Sequence, residues 1–371
     1  MRDELLFILI LLLRLGVPLG IPRFPLPAMA ATMLLDALDQ PIYRSVNGAS
    51  IEAYQAFDKA LDIYYLTIAY LSTMRNWDNR FAFEVSRVLF YFRLIGVVLF
   101  ESTQQRSLLV IFPNTFEYFF IFIEVASLRW DIRRMSRRTI IGAAAGIWVL
   151  IKLPQEYWIH IARLDVTDTI GAHLMVLPVL AGIAIGAVAG VRWLLSNRLP
   201  EPEFAVAFDV DRTVHRSWVL RLLAQPVPPR PLVSNELWEK ILMMSLVAII
   251  FAQVLPEVKV TDWQVCVSVS LLVFANSAVN ALRWRRLDGR TVPPRQLPAL
   301  LLLNGSLGVM AYGLLPLGGG PMHMLNMVFF ILLLTLLMTL YNRFRPAWLV
   351  RSQPSFAEVV GIPFATGRLS T

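Results

Sequence analysis

The chain has 371 residues, of which 57% are hydrophobic and only 16% are charged, and its formal net charge is +8 at pH 7. Its apolar runs recur at lengths that match a bilayer, which excludes a soluble globular class. The lone cysteine, Cys266, excludes an intramolecular disulfide and a cysteine-based metal site. The composition therefore predicts an all-α polytopic integral membrane bundle, with about ten or eleven transmembrane helices.

The helices are predicted from the apolar runs, because a spanning helix needs roughly 20 apolar residues. In chain order the runs lie near 4–20, 24–40, 51–74, 80–100, 104–127, 138–164, 169–196, 236–256, 263–283 and 298–341. The last run is long enough for two helices, broken at "PLGGGP" (316–321). In the run 104–127, an interruption at Pro113 is the alternative to a full span.

The predicted organisation has four parts. They are a charged front bundle (1–165), a connecting transmembrane helix (166–196), a proline-containing cytoplasmic loop (197–234) and an apolar rear bundle with a tail (235–371). Basic residues concentrate in alternate loops, such as 129–138 and 283–295, as expected if these loops are cytoplasmic. We expect a multi-pass protein of the cytoplasmic (plasma) membrane of a bacterium, surrounded by membrane lipids. Because the arginines form no single basic face, no nucleic-acid partner is expected.

Two runs of small residues predict close helix packing. They are "GAAAG" (142–146) and "GIAIGAVAG" (182–190), in which glycines recur every four residues. Such spacing lets two helix backbones approach each other in a bilayer. No strand precedes either run and no Lys-Ser/Thr follows, so neither is interpreted as a phosphate loop.

The front bundle concentrates the ionisable residues of the apolar runs. An ionisable group at mid-membrane costs several kcal/mol unless it is paired or hydrated, so such residues are functional candidates. Lys152, Glu156 and His160 follow one another at i, i+4 steps and form a polar stripe that could relay protons, bind an anionic head group or mark a helix end. Glu84 and Arg87, three residues apart, are expected to pair structurally.

Four aspartates lie in the stretch "DALDQPIYRSVNGASIEAYQAFDKALD" (36–62). On helices, Asp36 and Asp39 share one face, and so do Asp58 and Asp62. Two helices joined at 45–50 would bring four carboxylates together, and their mutual repulsion calls for a positive charge between them. A divalent cation with hard oxygen ligands, Mg²⁺ or Mn²⁺, is the simplest candidate. Alternatively, the acids cap helices or pair with nearby cations.

The stretch resembles the signature of the CDP-alcohol phosphatidyltransferases. That signature reads Asp, two residues, Asp-Gly, two residues, Ala-Arg, eight residues, Gly, three residues, Asp, three residues, Asp. This chain reads Asp36-x2-Asp39-Gln40-x2-Tyr43-Arg44, nine residues, Tyr54-x3-Asp58-x3-Asp62. The four acids and the arginine match, whereas Gln40, Tyr43 and Tyr54 replace small residues. The preceding "LLLRLGVPLG" (11–20) is also similar to that family's first helix.

The resemblance implies a metal-dependent transferase acting on a phosphate-bearing lipid or a lipid-linked donor. Asp36, Asp39 and Asp58 would hold one or two Mg²⁺ or Mn²⁺ ions, and Arg44 would contact a phosphate oxygen of the substrate. Asp62 would be the catalytic base that takes the proton from the acceptor hydroxyl. The family's site opens toward the cytoplasm, whereas counting helices back from the basic loop 129–138 places the turn at 45–50 on the opposite side.

Two other functions remain open. The first is a transporter or channel whose path is lined by charged residues of the front bundle, namely Asp58, Asp62, Arg93, Glu117, Lys152 and Glu156. The second is an outward-facing lipid-linked glycosyltransferase that uses Asp36 and Asp39.

Overall fold

A computed structural model describes residues 2–47, 51–157, 234–254, 261–286, 300–306 and 321–351, with a few isolated positions between them. These ranges consist of helices joined by short turns and contain no β-strand. The predicted all-α class is therefore confirmed for the described residues. The connecting helix (166–196), nearly all of the loop 197–234 and the tail beyond Arg351 lie outside them.

The front bundle begins with four long helices. They are α1 (Arg2–Gly16), α2 (Pro25–Asn47), α3 (Ile51–Asn76) and α4 (Arg80–Thr103), with a 3₁₀ turn (Val17–Gly20) after α1. Asn79 caps α4, because its side chain accepts a hydrogen bond from the backbone N–H of Ala82. The same side chain donates to the backbone oxygen of Ile132 at 2.8 Å and so fastens this turn to the loop after α6. Gln104 ends α4 in the left-handed conformation, with φ at 56°.

The next helical run is interrupted where the sequence suggested. Helix α5 (Ser107–Ile111) ends before Pro113, and α6 (Thr115–Ser127) begins immediately after Asn114. Beyond the loop, α7 (Arg137–Gly146) continues through a π-helical turn (Ile147–Lys152) into α8 (Leu153–Glu156). Proline explains the first interruption, since it lacks an amide hydrogen and disfavours the helical conformation of the residue before it.

The rear bundle contributes three long helices in the described ranges. They are α9 (Asn235–Val254), α10 (Asp262–Arg286) and α11 (Pro321–Arg351). Helix α11 begins at the final residue of "PLGGGP", so the predicted helix after this motif is confirmed. Helix α11 packs against α3, and α9 packs against α3 and α4, so the front and rear helices share one apolar core.

Aromatic side chains fill the centre of this core. The Tyr70 and Phe90 rings stack with centroids 4.4 Å apart, and Phe116 meets Phe90 edge-on at 5.5 Å. Phe83 contacts Trp348 at 4.2 Å and so joins α4 to α11. Each of these rings contributes a large apolar area to the core.

The distribution of polar and apolar side chains is that of a membrane protein. Lys152 is only 4% exposed, whereas the neighbouring Leu150 is 76% exposed. An apolar exterior around a charged interior suits a hydrocarbon solvent. Four stretches of the described residues are long and apolar enough to cross a membrane: Ser107–Ser127, Asn235–Val254, Asp262–Val279 and Val328–Arg345. These stretches support a multi-pass membrane protein.

The close approach of helices depends on a glycine that the spacing rule did not single out. No described atom lies within 4 Å of a Cβ built at Gly142, Gly146, Gly182 or Gly186, so the packing role of these glycines stays a prediction. At Gly96 of α4, by contrast, such a Cβ would lie 2.1 Å from the Cβ of Phe112. Glycine at this position therefore lets α4 touch the chain segment between α5 and α6.

The basic loop after α6 is ordered by an aspartate. Arg133 donates to both carboxylate oxygens of Asp131, from Nε at 2.8 Å and from Nη2 at 2.6 Å. Burial alone would raise the pKa of Asp131, but the hydrogen bonds and charge of Arg133 outweigh it, so the pKa of Asp131 is lowered. The carboxylate therefore stays ionised and holds the loop 131–134.

Candidate functional site

Two of the four aspartates meet across the hairpin of α2 and α3. Asp36 lies eleven residues before the end of α2 at Asn47, and Asp62 lies eleven residues after the start of α3 at Ile51. At about 1.5 Å of rise per residue, the two therefore sit at the same height on antiparallel neighbours. The backbone places Asp39 and Asp58 one turn nearer the connection, on the same two helices.

The positive charge between Asp36 and Asp62 is the guanidinium of Arg14. Its Nη2 donates to Asp62 Oδ1 at 2.9 Å and also to Asp36 Oδ1. The side chain of Arg14 is 2% exposed, while the two carboxylates are about one-third exposed, at 32% and 29%. A planar guanidinium suits this role, because its fixed donors can serve two carboxylates at once.

The arginine changes what the hairpin offers to a metal ion. One oxygen of Asp36 and one of Asp62 already bond to Arg14, which supplies the charge expected from Mg²⁺ or Mn²⁺. In the part of the chain that the structure describes, no three His, Cys, Asp or Glu side chains are grouped as a metal site. The side chains of Asp39, Asp58 and Arg44 lie outside the described residues, so their roles stay predictions.

A second group of polar side chains lies at the break between α5 and α6. Arg93 of α4 donates from Nη1 to the backbone oxygen of Phe112 at 3.1 Å. Asn114 donates from its backbone N to Glu156 Oε1 at 3.3 Å and from Nδ2 to Glu117 Oε2 at 2.5 Å. Irregular backbone at membrane depth is tolerated where protein buries it or where it lines a hydrated cavity. Here the charged side chains of neighbouring helices satisfy it.

Lys152 brings a buried positive charge to the same place. It ends the π-helical turn, and its ammonium lies 4.1 Å from the centre of the Tyr118 ring. Its charge also interacts with the carboxylates of Glu117 and Glu156. All three charged residues are almost fully buried. A π-helical turn often marks a functional position, because the wider turn redirects the side chains that follow it.

Buried Tyr65 interacts electrostatically with both groups, with Glu117 of one and with Asp62, Asp36 and Arg14 of the other. Glu117 in turn interacts with Asp36, and Lys152 with Asp62. We refer to the connected residues as the front network: Arg14, Asp36, Asp62, Tyr65, Arg93, Asn114, Glu117, Lys152 and Glu156.

The front network contains charges of both signs. Three of its described members are cations and four are carboxylates. Charges at membrane depth are costly unless they are paired or hydrated.

Some sequence-predicted polar residues have separate, structural roles. Glu84 pairs with Arg87 at 2.6 Å, as expected from their spacing. Glu124, buried in α6, accepts a hydrogen bond from Trp77 Nε1 at 2.7 Å. Lys59 bonds Glu101 at 3.4 Å and lies over the Phe100 ring. His160, which completed the predicted polar stripe, lies outside the described residues.

Sequence reasoning did not single out Arg14 or Asn114 as site residues. For Arg14, the available signal was a lone arginine within the apolar first helix. Such a residue can place its charge at the membrane surface, so its burial against two aspartates was not evident. For Asn114, the signal was its position directly after Pro113, where freed backbone groups need partners.

Comparisons of the chain with protein-family models, curated proteins and solved structures found no match. The interpretation of the site therefore rests on the chemistry of its own residues.

Proposed function

We propose that the chain is a membrane transport protein that moves a proton or a small cation along the front network. The observation that carries this proposal is the buried, connected set of charges around the break between α5 and α6. Five of the six residues expected to line a transport path belong to this set, and the sixth, Asp58, lies outside the described side chains.

The placement of the charges favours transport over a purely structural role. Ion pairs that only stabilise are inexpensive at a membrane surface but costly in its interior. The front network instead reaches from α1 to α8 within the bundle. Broken helices and intramembrane charges are recurrent parts of ion-binding sites in transporters, where the freed backbone and nearby carboxylates contact the ion.

Transport can be measured in proteoliposomes under an inside-negative potential set by K⁺ and valinomycin. Trapped pyranine reports proton entry, and ²²Na⁺ uptake reports cation entry. We expect one of these signals to exceed that of protein-free liposomes. Glu117→Gln and Lys152→Met should reduce it to the protein-free rate, because each removes a charge at the helix break.

Glu84→Gln is the matched control for Glu117→Gln. It makes the same change from carboxyl to amide, in a pair with Arg87 that is about one-third exposed and lies outside the front network. This variant should transport at the wild-type rate. The proposal fails if neither proton nor ²²Na⁺ entry exceeds the background, or if Glu117→Gln and Lys152→Met transport normally.

A membrane transferase is the second candidate, favoured by the convergence of Asp36 and Asp62 on one guanidinium. Under this hypothesis Asp36, Asp39 and Asp58 hold Mg²⁺ or Mn²⁺, Asp62 is the catalytic base and Arg44 contacts a phosphate of the lipid or lipid-linked substrate. The metal would stabilise charge on the transferring phosphate.

Thermal stability and activity test the transferase hypothesis separately. Mg²⁺ or Mn²⁺ should raise the melting temperature of the wild type but not of Asp39→Asn. With CDP-diacylglycerol as the donor and a short alcohol as the acceptor, Asp62→Asn should abolish transfer in purified protein. Transfer that persists in Asp62→Asn would refute the role of this residue as the base.

We also propose the finer membrane arrangement predicted from the sequence. It has about ten or eleven spans in the cytoplasmic membrane of a bacterium, in contact with its lipids. The length and polarity of the runs outside the described residues support this number. Labelling of cysteines introduced at 45–50 by a membrane-impermeant reagent in intact cells would establish the side on which the four-aspartate hairpin opens.

A further inference from the structure

Another group of polar side chains joins the rear helices α9 and α11 to α3 and α4. Its centre is Glu239 of α9, whose Oε1 accepts a hydrogen bond from the Tyr70 hydroxyl at 2.7 Å. The Oε2 atom of Glu239 pairs with Arg345 Nη2 at 2.6 Å. We refer to the connected residues as the rear network: Tyr70, Tyr91, Glu239, Lys240, Tyr341, Asn342 and Arg345.

The rear network places charges inside the bundle. Tyr70 is fully buried, and Lys240 and Arg345 are only 6% and 7% exposed. Lys240 donates to Asn342 Oδ1 at 2.8 Å. Ionisable side chains inside a membrane protein are costly, so a connected set of them is a functional candidate.

The front and rear networks occupy opposite halves of the protein along α3. Tyr65 interacts with the front network and Tyr70 belongs to the rear network, and a separation of five residues corresponds to about 7.5 Å along the helix. The rear network lies nearer the end of α3 at Asn76, where the following turn is fastened to the basic loop 129–138. The sequence predicts that this loop is cytoplasmic, so the rear network lies in the half of the protein that faces the cytoplasm.

Aromatic rings separate the two networks. The Phe90 ring stacks on Tyr70 of the rear network, with centroids 4.4 Å apart. Phe116, which directly precedes Glu117 of the front network, meets Phe90 edge-on at 5.5 Å. Both phenylalanines are almost completely buried, and neither side chain can donate or accept a proton. A layer of apolar rings therefore lies between two sets of polar groups.

We propose that the rear network is the cytoplasmic half of the transport path, that Phe90 and Phe116 form the gate between the halves, and that the transported ion is a proton. This inference rests on the proposed transport function and names its cargo. When the gate opens, the Tyr70 oxygen takes a proton from the front side while its own proton passes to Glu239 Oε1. Only O–H bonds break and form, so one proton advances, and Glu239 then releases it toward the cytoplasm. Chains of such groups relay protons in pumps and transporters.

The chemistry of the rear network favours a proton over a metal cation. The charges of Lys240 and Arg345 would repel a metal ion that passed between them. The buried nitrogen atoms that lack hydrogen-bond partners here, Arg345 Nε, Arg345 Nη1 and Asn342 Nδ2, are donors and cannot coordinate a cation. A tyrosine hydroxyl both donates and accepts, so a proton can cross by exchange between Tyr70 and Glu239.

The experiment uses the full-length protein in proteoliposomes under an inside-negative potential, with trapped pyranine for protons and ²²Na⁺ for cations. Tyr70→Phe removes the hydroxyl and keeps the ring, so proton entry should fall to the protein-free rate. Tyr64→Phe is the matched control, because Tyr64 is a buried tyrosine of the same helix whose hydroxyl donates to the backbone oxygen of Leu15 at 2.8 Å, outside both networks. This variant should keep the wild-type rate. Melting temperatures in detergent establish that both variants are folded.

A second pair of variants tests the gate. Phe90→Leu removes part of the ring layer next to Tyr70, so protons should enter faster than in the wild type. Phe251→Leu is the matched control, because Phe251 is equally buried but packs against Phe329 in the rear bundle. This variant should keep the wild-type rate. If Phe90→Leu transports no faster than Phe251→Leu, the gate is overturned.

The outcomes separate this inference from the transport proposal. Proton entry that is lost in Tyr70→Phe and kept in Tyr64→Phe supports the rear network as part of the path. Entry that Glu117→Gln abolishes but Tyr70→Phe leaves unchanged overturns the rear half of the path and leaves transport through the front network standing. Uptake of ²²Na⁺ without proton entry overturns the proton as cargo and also leaves transport standing. If neither signal exceeds that of protein-free liposomes, both the transport function and this inference are overturned.

Discussion

Gly96 controls how closely α4 approaches the break between α5 and α6, and its replacement tests the geometry of the site. A Cβ at this position would lie 2.1 Å from Phe112 Cβ and 2.6 Å from Phe112 Cγ. Carbon atoms in contact need about 3.5–4.0 Å, so Gly96→Ala must separate the two backbones by roughly 1.5 Å. The contact atom is the Cβ of Phe112, so rotation of the phenyl ring alone does not relieve the clash.

The displacement should affect both the stability of the protein and the front network. The hydrogen bond from Arg93 to the backbone oxygen of Phe112 is 3.1 Å long, and a shift of about 1.5 Å would break it. Overpacking of a tight contact costs about 1–3 kcal/mol. We therefore expect Gly96→Ala to lower the melting temperature in detergent and to reduce transport in proteoliposomes, because Asn114, which bonds Glu117 and Glu156, lies two residues after Phe112.

Gly142→Ala is the matched control, since no described atom lies within 4 Å of a Cβ there. Alanine favours a helix over glycine by up to about 1 kcal/mol, so this variant should be as stable as the wild type or slightly more stable. The reasoning is refuted if Gly96→Ala unfolds at or above the wild-type temperature, or if Gly142→Ala is destabilised as strongly.

Three further predictions concern other parts of the described structure. Arg14→Met should destabilise the protein by about 2–3 kcal/mol, less than the about 3–5 kcal/mol typical of a fully buried pair, because its aspartates are partly hydrated. The triple variant Arg14→Met, Asp36→Asn, Asp62→Asn should regain most of the lost melting temperature. An Arg14→Met variant that is as stable as the wild type would contradict the pairing. Because the folded-state pKa of Asp131 is lowered, its contribution to stability is present above about pH 4 and lost as pH falls through that pKa. Asp131→Asn should therefore lower the melting temperature at pH 7 and lower it by progressively less as the pH falls below about 4, and an effect that does not diminish with falling pH would refute the ion pair. Gln104→Gly should raise the free energy of unfolding by up to about 1 kcal/mol, because glycine adopts the φ of 56° without strain. A melting temperature below that of the wild type would refute this prediction.

The helices of the protein could be predicted from local patterns, whereas the contacts of its site could not. Apolar length located α9 and α10, and Pro113 explained the break before α6. These features depend on neighbouring residues alone. The salt bridges of Arg14 join residues that are 22 and 48 positions apart, and no local pattern determines which of many acids a buried arginine meets.

The glycines show the same distinction. A spacing of four residues identifies a surface on which helices could pack closely, but it does not say whether another helix or lipid covers that surface. Gly142 and Gly146 fit the spacing and meet no described atom, whereas Gly96 belongs to no such pattern and touches Phe112. Only part of the aspartate hairpin could be predicted from the sequence. The equal heights of Asp36 and Asp62 follow from the position of the turn, whereas the sequence does not show that Arg14 is the cation between them.

The π-helical turn before Lys152 has a consequence for how related chains should vary. A turn of this type contains one residue more than an α-helical turn, so everything after it is rotated by about 100° relative to a regular helix. If the same residues wound as a regular α-helix, Lys152 would therefore turn away from Glu117. In an alignment, a homologue that is one residue shorter within 147–151 can keep a lysine on this face through a regular helix, whereas a chain of equal length needs the wide turn to do so.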